Sequence, residues 1–185
     1  MAHWDLEGAT PAGSLDLGHV AVMETVTNRE GHFTFWWGRP RLRWKLHGQL
    51  RRSSPSLVFF KPGYIHEYCG NNIFRPRLPH PFPGSECSGS TIRLKKFAGS
   101  DQAYYEQLGR LSDSVGRTAL GSRDCAWRKM PRMLVAVAQE RARTSSATPS
   151  PSGATSGDNP LIEYWDGETS PWCGSLKNFL RSYQP

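Results

Sequence analysis

The side chains able to do chemistry are scattered along the chain. Six histidines stand at His3, His19, His32, His47, His66 and His80. None has a partner at the close spacing that puts two imidazoles on one helix face or on alternate strand positions, where a metal could take both. His66-Glu67 opens an H-E-x-x-H pattern, but Gly70 stands where the second imidazole is needed, so that zinc-hydrolase arrangement is not formed. His19 and His32 flank an expected turn and would supply at most two ligands. No serine completes G-x-S-x-G, as Gly84-Ser85-Glu86-Cys87 and Gly121-Ser122 show, so the strained nucleophile turn has no counterpart. Neither G-x-x-x-x-G-K-[ST] nor G-x-G-x-x-G occurs, which removes the common phosphate cradles. Among Asp16, Glu24, Glu30, Glu67 and Glu86 nothing selects a pair at glycosidase spacing. The expectation is therefore a non-enzyme with no catalytic residue, cofactor or metal.

One stretch could bind polyanions. In residues 36–52, Trp36, Trp37 and Trp44 are interleaved with Arg39, Arg41, Arg43, Lys45, Arg51 and Arg52, without an acid among them. Aromatic faces can stack on bases while guanidinium and ammonium groups attract phosphates. The competing reading is an insertion between strands, with its tryptophans packed down and its long basic side chains lying over them. The net charge of +7 and pI near 9.5 favour anionic partners in general and say nothing of fold.

Cysteines stand at 69, 87, 125 and 173. No C-x-x-C pair is present, so a zinc ribbon is not indicated. Reduced thiols and disulfides both remain open, and four cysteines allow three full pairings. Cys69 and Cys87 flank a proline-rich loop that a bridge between them would staple.

Regular elements must position these residues. Val20, Val22 and Val26 share one parity, with Ala21, Met23 and Thr25 on the other, the two-residue alternation of a half-buried strand. Asn28 and Gly31 suit a tight connection, and Phe33 and Phe35 would lie on one face of a returning strand. Residues 57–60 form a short apolar run fit for a central strand, stopped by Pro62-Gly63. Residues 3–7 read as an edge strand, 8–18 as a loop, 65–69 as a further extended piece and 91–95 as the last strand. Beyond them the period changes. Ser100 or Asp101 can cap a helix carrying Tyr104, Leu108, Leu111 and Val115 on one face, weakened at Gly109 and broken by 116–121. A second helix covers 126–143, regular from Pro131, with Met130, Leu134, Val137 and Ala138 as a stripe packed against the sheets. Residues 144–160, TSSATPSPSGATSGDNP, hold no large apolar side chain and read as a disordered linker. Residues 161–185 are apolar again, and their structure is left open.

The strand, turn and second strand, with the later Lys-Pro-Gly-Tyr, resemble the carboxypeptidase regulatory-like domain. The matching residues are Thr27, Asn28, Gly31, Phe33 and Phe35, then Pro62, Gly63 and Tyr64, over about residues 10–65. The resemblance implies a mainly β fold: a transthyretin-like, prealbumin-type antiparallel β-sandwich over 1–97. A helical appendage at 98–143 would follow, then the linker and the tail. It also implies a non-catalytic structural or binding role at the bacterial cell envelope, with another envelope protein or a polyanion as partner. The same fold carries 5-hydroxyisourate hydrolases, but their terminal Tyr-Arg-Gly-Ser is not matched by Arg181-Ser182-Tyr183. No apolar run reaches membrane-spanning length. The first residues lack the basic and apolar regions of a signal peptide, and their strand-like character leads us to expect a natural start further upstream.

Overall fold

The computed structural model describes residues 1–10, 13–35, 49–50, 55–70, 87, 89–120, 125–145 and 159–184, with residues 6–10, 13–20 and 49–50 described by their backbone. The chain divides into two compact units. One comprises residues 1–59 and 67–93; the other comprises 60–66 and 94–185.

The first unit is built on one antiparallel sheet. Its strands are β1 (Ala2–Thr10), β2 (Gly13–Met23), β3 (Gln49–Leu50), β4 (Ser56–Phe59) and β5 (Glu67–Cys69). They run in the order β2-β1-β4-β5, with β3 also on β1. Residues 2–10 are therefore an interior strand and not an edge. The segment expected as a loop supplies the end of β1 and the start of β2, which pair from Ala2 opposite Met23 to Thr10 opposite Gly13 with register shifts between Trp4 and Asp5 and between Asp5 and Glu7. Ala2 also faces Leu57 on β4. The Met1 amine donates to the Val58 carbonyl at 2.9 Å, and the Val58 amide returns a bond to Met1 at 2.8 Å. Trp4, Leu57, Cys69 and Ala2 are buried together, with Met23, Phe35, Phe59 and Ile92 against them.

The expected mainly β, transthyretin-like sandwich is overturned. Among the described residues there is one small sheet, and helices outweigh strands. The valine alternation does mark a strand, but β2 ends at Met23 and pairs with β1. Residues 24–35 form no strand. Asn28 instead closes a local turn, its side chain accepting from the His32 amide at 2.8 Å and the Glu30 amide at 3.1 Å. These bonds satisfy the backbone locally and leave no ladder for 32–35 to join. Residues 91–95 are likewise not a strand; beside them a single bridge joins Tyr64 to Lys96. The hydrolase alternative, which required that sandwich, loses its scaffold.

The second unit is helical, and its elements are α1 (Asp101–Leu120), α2 (Pro131–Ser145), α3 (Pro160–Gly167) and α4 (Leu176–Leu180), with short 3-10 turns at Ala126–Lys129 and Pro171–Cys173. Ser100 caps α1, its hydroxyl accepting from the Ala103 amide at 3.3 Å. The helix continues through Gly116 to Leu120, past the expected break, because Gly116 is where another helix packs closely on it. Leu108, Leu111 and Val115 of α1 and Met130, Leu134, Val137 and Ala138 on the α2 side are buried. The α2 stripe packs on α1, so it is not a face laid on a sandwich. Residues 159–184 belong to this body. Ile162, Trp165, Leu176 and Leu180 are buried. The Asn159 side chain caps α3 at the Leu161 amide and donates to the Ala138 carbonyl of α2 at 2.8 Å. Most of the expected linker, residues 146–158, lies outside the described residues.

Candidate functional site

Three helices of the second unit meet around a groove of about 720 Å³. On α1, Tyr105, Ser112, Gly116 and Leu120 recur at seven- and four-residue steps, so they form one stripe along the helix. On α3, Leu161, Tyr164 and Trp165 recur at three- and four-residue steps, and with Glu168 just past the helix and Arg141 of α2 they line the groove. The helices can approach closely because α1 presents a glycine. A Cβ at Gly116 would stand 2.9 Å from the Trp165 indole nitrogen, nearer than real side chains pack. Trp165 is 1% exposed, so it is a rigid wall.

Arg141 is the chemical centre. Its Nη1 donates to the Ser112 hydroxyl at 2.5 Å and its Nη2 to the Tyr105 hydroxyl at 3.4 Å. Its guanidinium carbon also lies 4.8 Å from the centre of the Tyr105 ring, within cation–π range. The Ser112 hydroxyl donates to the Gly109 carbonyl at 2.8 Å, which orients it as an acceptor toward Arg141. The guanidinium plane is thereby held by two hydrogen bonds and a ring. It is half-buried and has no ion-pair partner among the described residues. A fixed, partly desolvated guanidinium without a counter-charge is a ready site for a carboxylate or phosphate. Arg117, Asp113 and Glu168 also line the groove.

The adjoining face of the same helices holds a closed network that braces it. Glu140 accepts from the Gly63 amide at 2.9 Å and from the Tyr104 hydroxyl at 3.0 Å. Arg143 grips both its carboxylate oxygens, at 2.9 and 3.0 Å. The Tyr104 hydroxyl in turn accepts from the Gly63 amide at 2.7 Å. Glu140 is held below its ordinary range chiefly by the Arg143 guanidinium, against the opposing effect of burial and with help from the Tyr104 hydroxyl. Tyr104 is pushed up to about 12, first by burial, and further by the carboxylate beside it. The network ties Gly63 to α1 and α2 and pairs the Glu140 carboxylate with the Arg143 guanidinium.

The cysteines are joined as Cys69–Cys87, within the sheet unit, and Cys125–Cys173, within the helical unit. The second bridge fastens the segment bearing α3 and α4 to the turn before α2. The Arg128 guanidinium reinforces it, donating to the Cys173 carbonyl at 2.6 Å. Arg39, Arg41, Arg43, Lys45, Arg51 and Arg52 lie outside the described residues. Of the histidines, His3 sits 2.9 Å from Asp5, His66 3.3 Å from the Gln107 amide nitrogen, and exposed His32 3.6 Å from Glu30. Among the described residues no group of three or more His, Cys, Asp or Glu side chains is placed to hold a metal.

Sequence reasoning passed over Arg141, Tyr105 and Trp165. A signal was present: Arg141 continues the α2 apolar stripe, four residues past Val137 and three past Ala138, and a guanidinium on a buried stripe needs a partner. No protein-family model, no curated protein and no solved structure matches this chain. Among the described residues no helix is long and apolar enough to cross a membrane.

Proposed function

We propose that this chain is a non-catalytic binding protein that takes an anionic ligand in the groove between α1, α2 and α3. Arg141 meets the negative charge. The observation that carries this reading is the guanidinium itself: half-buried, held by Ser112 and Tyr105, and in no ion pair among the described residues, although Asp113 and Glu168 line the same groove. A protein gains nothing in stability from a half-buried charge with no counter-charge; such a charge is useful when a ligand completes the pair. Tyr105, Tyr164 and Trp165 supply the apolar walls that small-ligand sites require, and the groove volume falls in the usual range for such sites. We place the protein in an oxidising compartment. Pairing of all four cysteines supports this placement.

An aromatic anion, 1-anilinonaphthalene-8-sulfonate, is a suitable probe. The full chain should bind it with a rise in dye fluorescence, and Arg141→Gln should weaken binding at least tenfold with unchanged helical circular dichroism. Equal binding by the wild type and a folded Arg141→Gln variant would remove the proposal.

A further inference from the structure

The groove's charges and shape narrow the ligand further, on the premise that it is the binding site proposed above. Two of the five N–H donors of Arg141 are used, by Ser112 and Tyr105. Three therefore remain for a ligand, and a guanidinium pairs well with a carboxylate. The surrounding charge is balanced: Arg141 and Arg117 are set against Asp113 and Glu168. A doubly charged phosphate would meet those two exposed carboxylates, and each of its charges adds repulsion. A singly charged carboxylate at Arg141 adds half the charge of that phosphate and meets correspondingly less repulsion. The carboxylates of Asp113 and Glu168 accept hydrogen bonds and donate none, so they favour a ligand whose remaining polar groups are N–H donors. Leu120, Leu161, Tyr164 and Trp165 ask for a large apolar side chain. A plain fatty acid would place hydrocarbon against two carboxylates and leave their acceptor capacity unused.

We infer that the ligand is the free carboxyl terminus of a peptide ending in a large apolar or aromatic residue. Its α-carboxylate pairs with Arg141. Its last side chain lies against Tyr164 and Trp165, and its backbone amides face Asp113 and Glu168. Capture of a chain terminus by a fixed donor set is an established mode of peptide recognition.

The test compares two peptides that differ in one group. A fluorescein-labelled Gly-Ser-Gly-Ser-Phe is prepared with a free carboxylate and as its carboxyl-terminal amide, and both are titrated into the full chain by fluorescence polarisation. The acid should bind at least tenfold tighter than the amide. Arg141→Gln should erase that difference. Tyr164→Ala, at a residue 63% exposed and so tolerant of change, should weaken the acid several-fold without altering the thermal melt. Equal binding of acid and amide, or a preference that survives Arg141→Gln, overturns the inference. If neither peptide binds while the aromatic sulfonate still binds in an Arg141-dependent way, the peptide assignment is wrong and the anion groove stands. If neither peptide nor dye binds, both fall.

Discussion

Removing the Cys125–Cys173 bridge should cost the helical unit about as much as truncating one of its large buried side chains. The bridge closes a loop of 48 residues by sequence separation. Cross-linking limits the unfolded chain, and the loop-closure relation puts the entropy lost at about 14 cal/mol/K for this length, or about 4 kcal/mol at 25 °C. The shorter Cys69–Cys87 loop, with a separation of 18, gives about 3 kcal/mol by the same relation. The variant to make is Cys125→Ala with Cys173→Ala, because Cys173 is 2% exposed and a serine there would bury an extra hydroxyl. Urea unfolding followed by far-ultraviolet circular dichroism reports mainly on the helices. With a urea slope of about 2 kcal/mol/M, the midpoint should fall by about 2 M. Cys125 has φ 54°, in the left-handed region. Alanine is strained there and glycine is not, so Cys125→Gly with Cys173→Ala should recover about 1 kcal/mol of the loss. A midpoint shift under about 0.5 M, or free thiols in the native protein, would refute the view that the bridge holds α3 and α4 on the body.

Three further outcomes follow from the helices. Tyr104, raised to about 12, keeps its proton in the folded state while the unfolded chain loses its own near 10. The folded state then holds more protons, so stability should fall as pH rises from 10 to 12; thermal melts of Tyr104→Phe should lack that component. Glu140 has the opposite sign. Its carboxyl is depressed, so its contribution is present at neutral pH and is lost as pH falls below the ordinary carboxylate range; Glu140→Gln should flatten this acid limb. The two α1 glycines should part company under alanine substitution. Gly109 has open space around it, and Gly109→Ala should stabilise by about 0.5–1 kcal/mol through backbone entropy and helix propensity. Gly116→Ala drives a methyl against Trp165, and overpacking of about 1–3 kcal/mol outweighs the same propensity gain; urea midpoints of the two variants should move in opposite directions.

Local chemistry was legible in this chain wherever it could be satisfied locally. The Ser100 cap, the start of α2 at Pro131 and the buried stripes of both long helices follow from spacing alone, because a helix closes its own hydrogen bonds and needs only one apolar face. The apolar run at 57–60 marks β4 for a similar reason. A strand differs in that its hydrogen bonds are completed elsewhere. Alternation at Val20 and Val22 identifies a strand without naming its partner, and the neighbouring Asn28 turn suggested the wrong one. The resemblance built on that turn carried the reading to a sandwich, whereas β2 pairs backwards with residues 2–10.

What residue order alone determined, then, is where the two long helices begin, which faces they bury and the turn at Asn28. Strand partners, the choice among three cysteine pairings and the groove itself were decided by the tertiary structure. The physical reason is range: capping and periodicity act over a few residues, while pairing and burial depend on segments tens of residues apart. Arg141 shows both sides. Its place on the α2 stripe is written in the chain, but only the packing of α1, α2 and α3 sets it beside Ser112 and Tyr105, in no ion pair among the described residues.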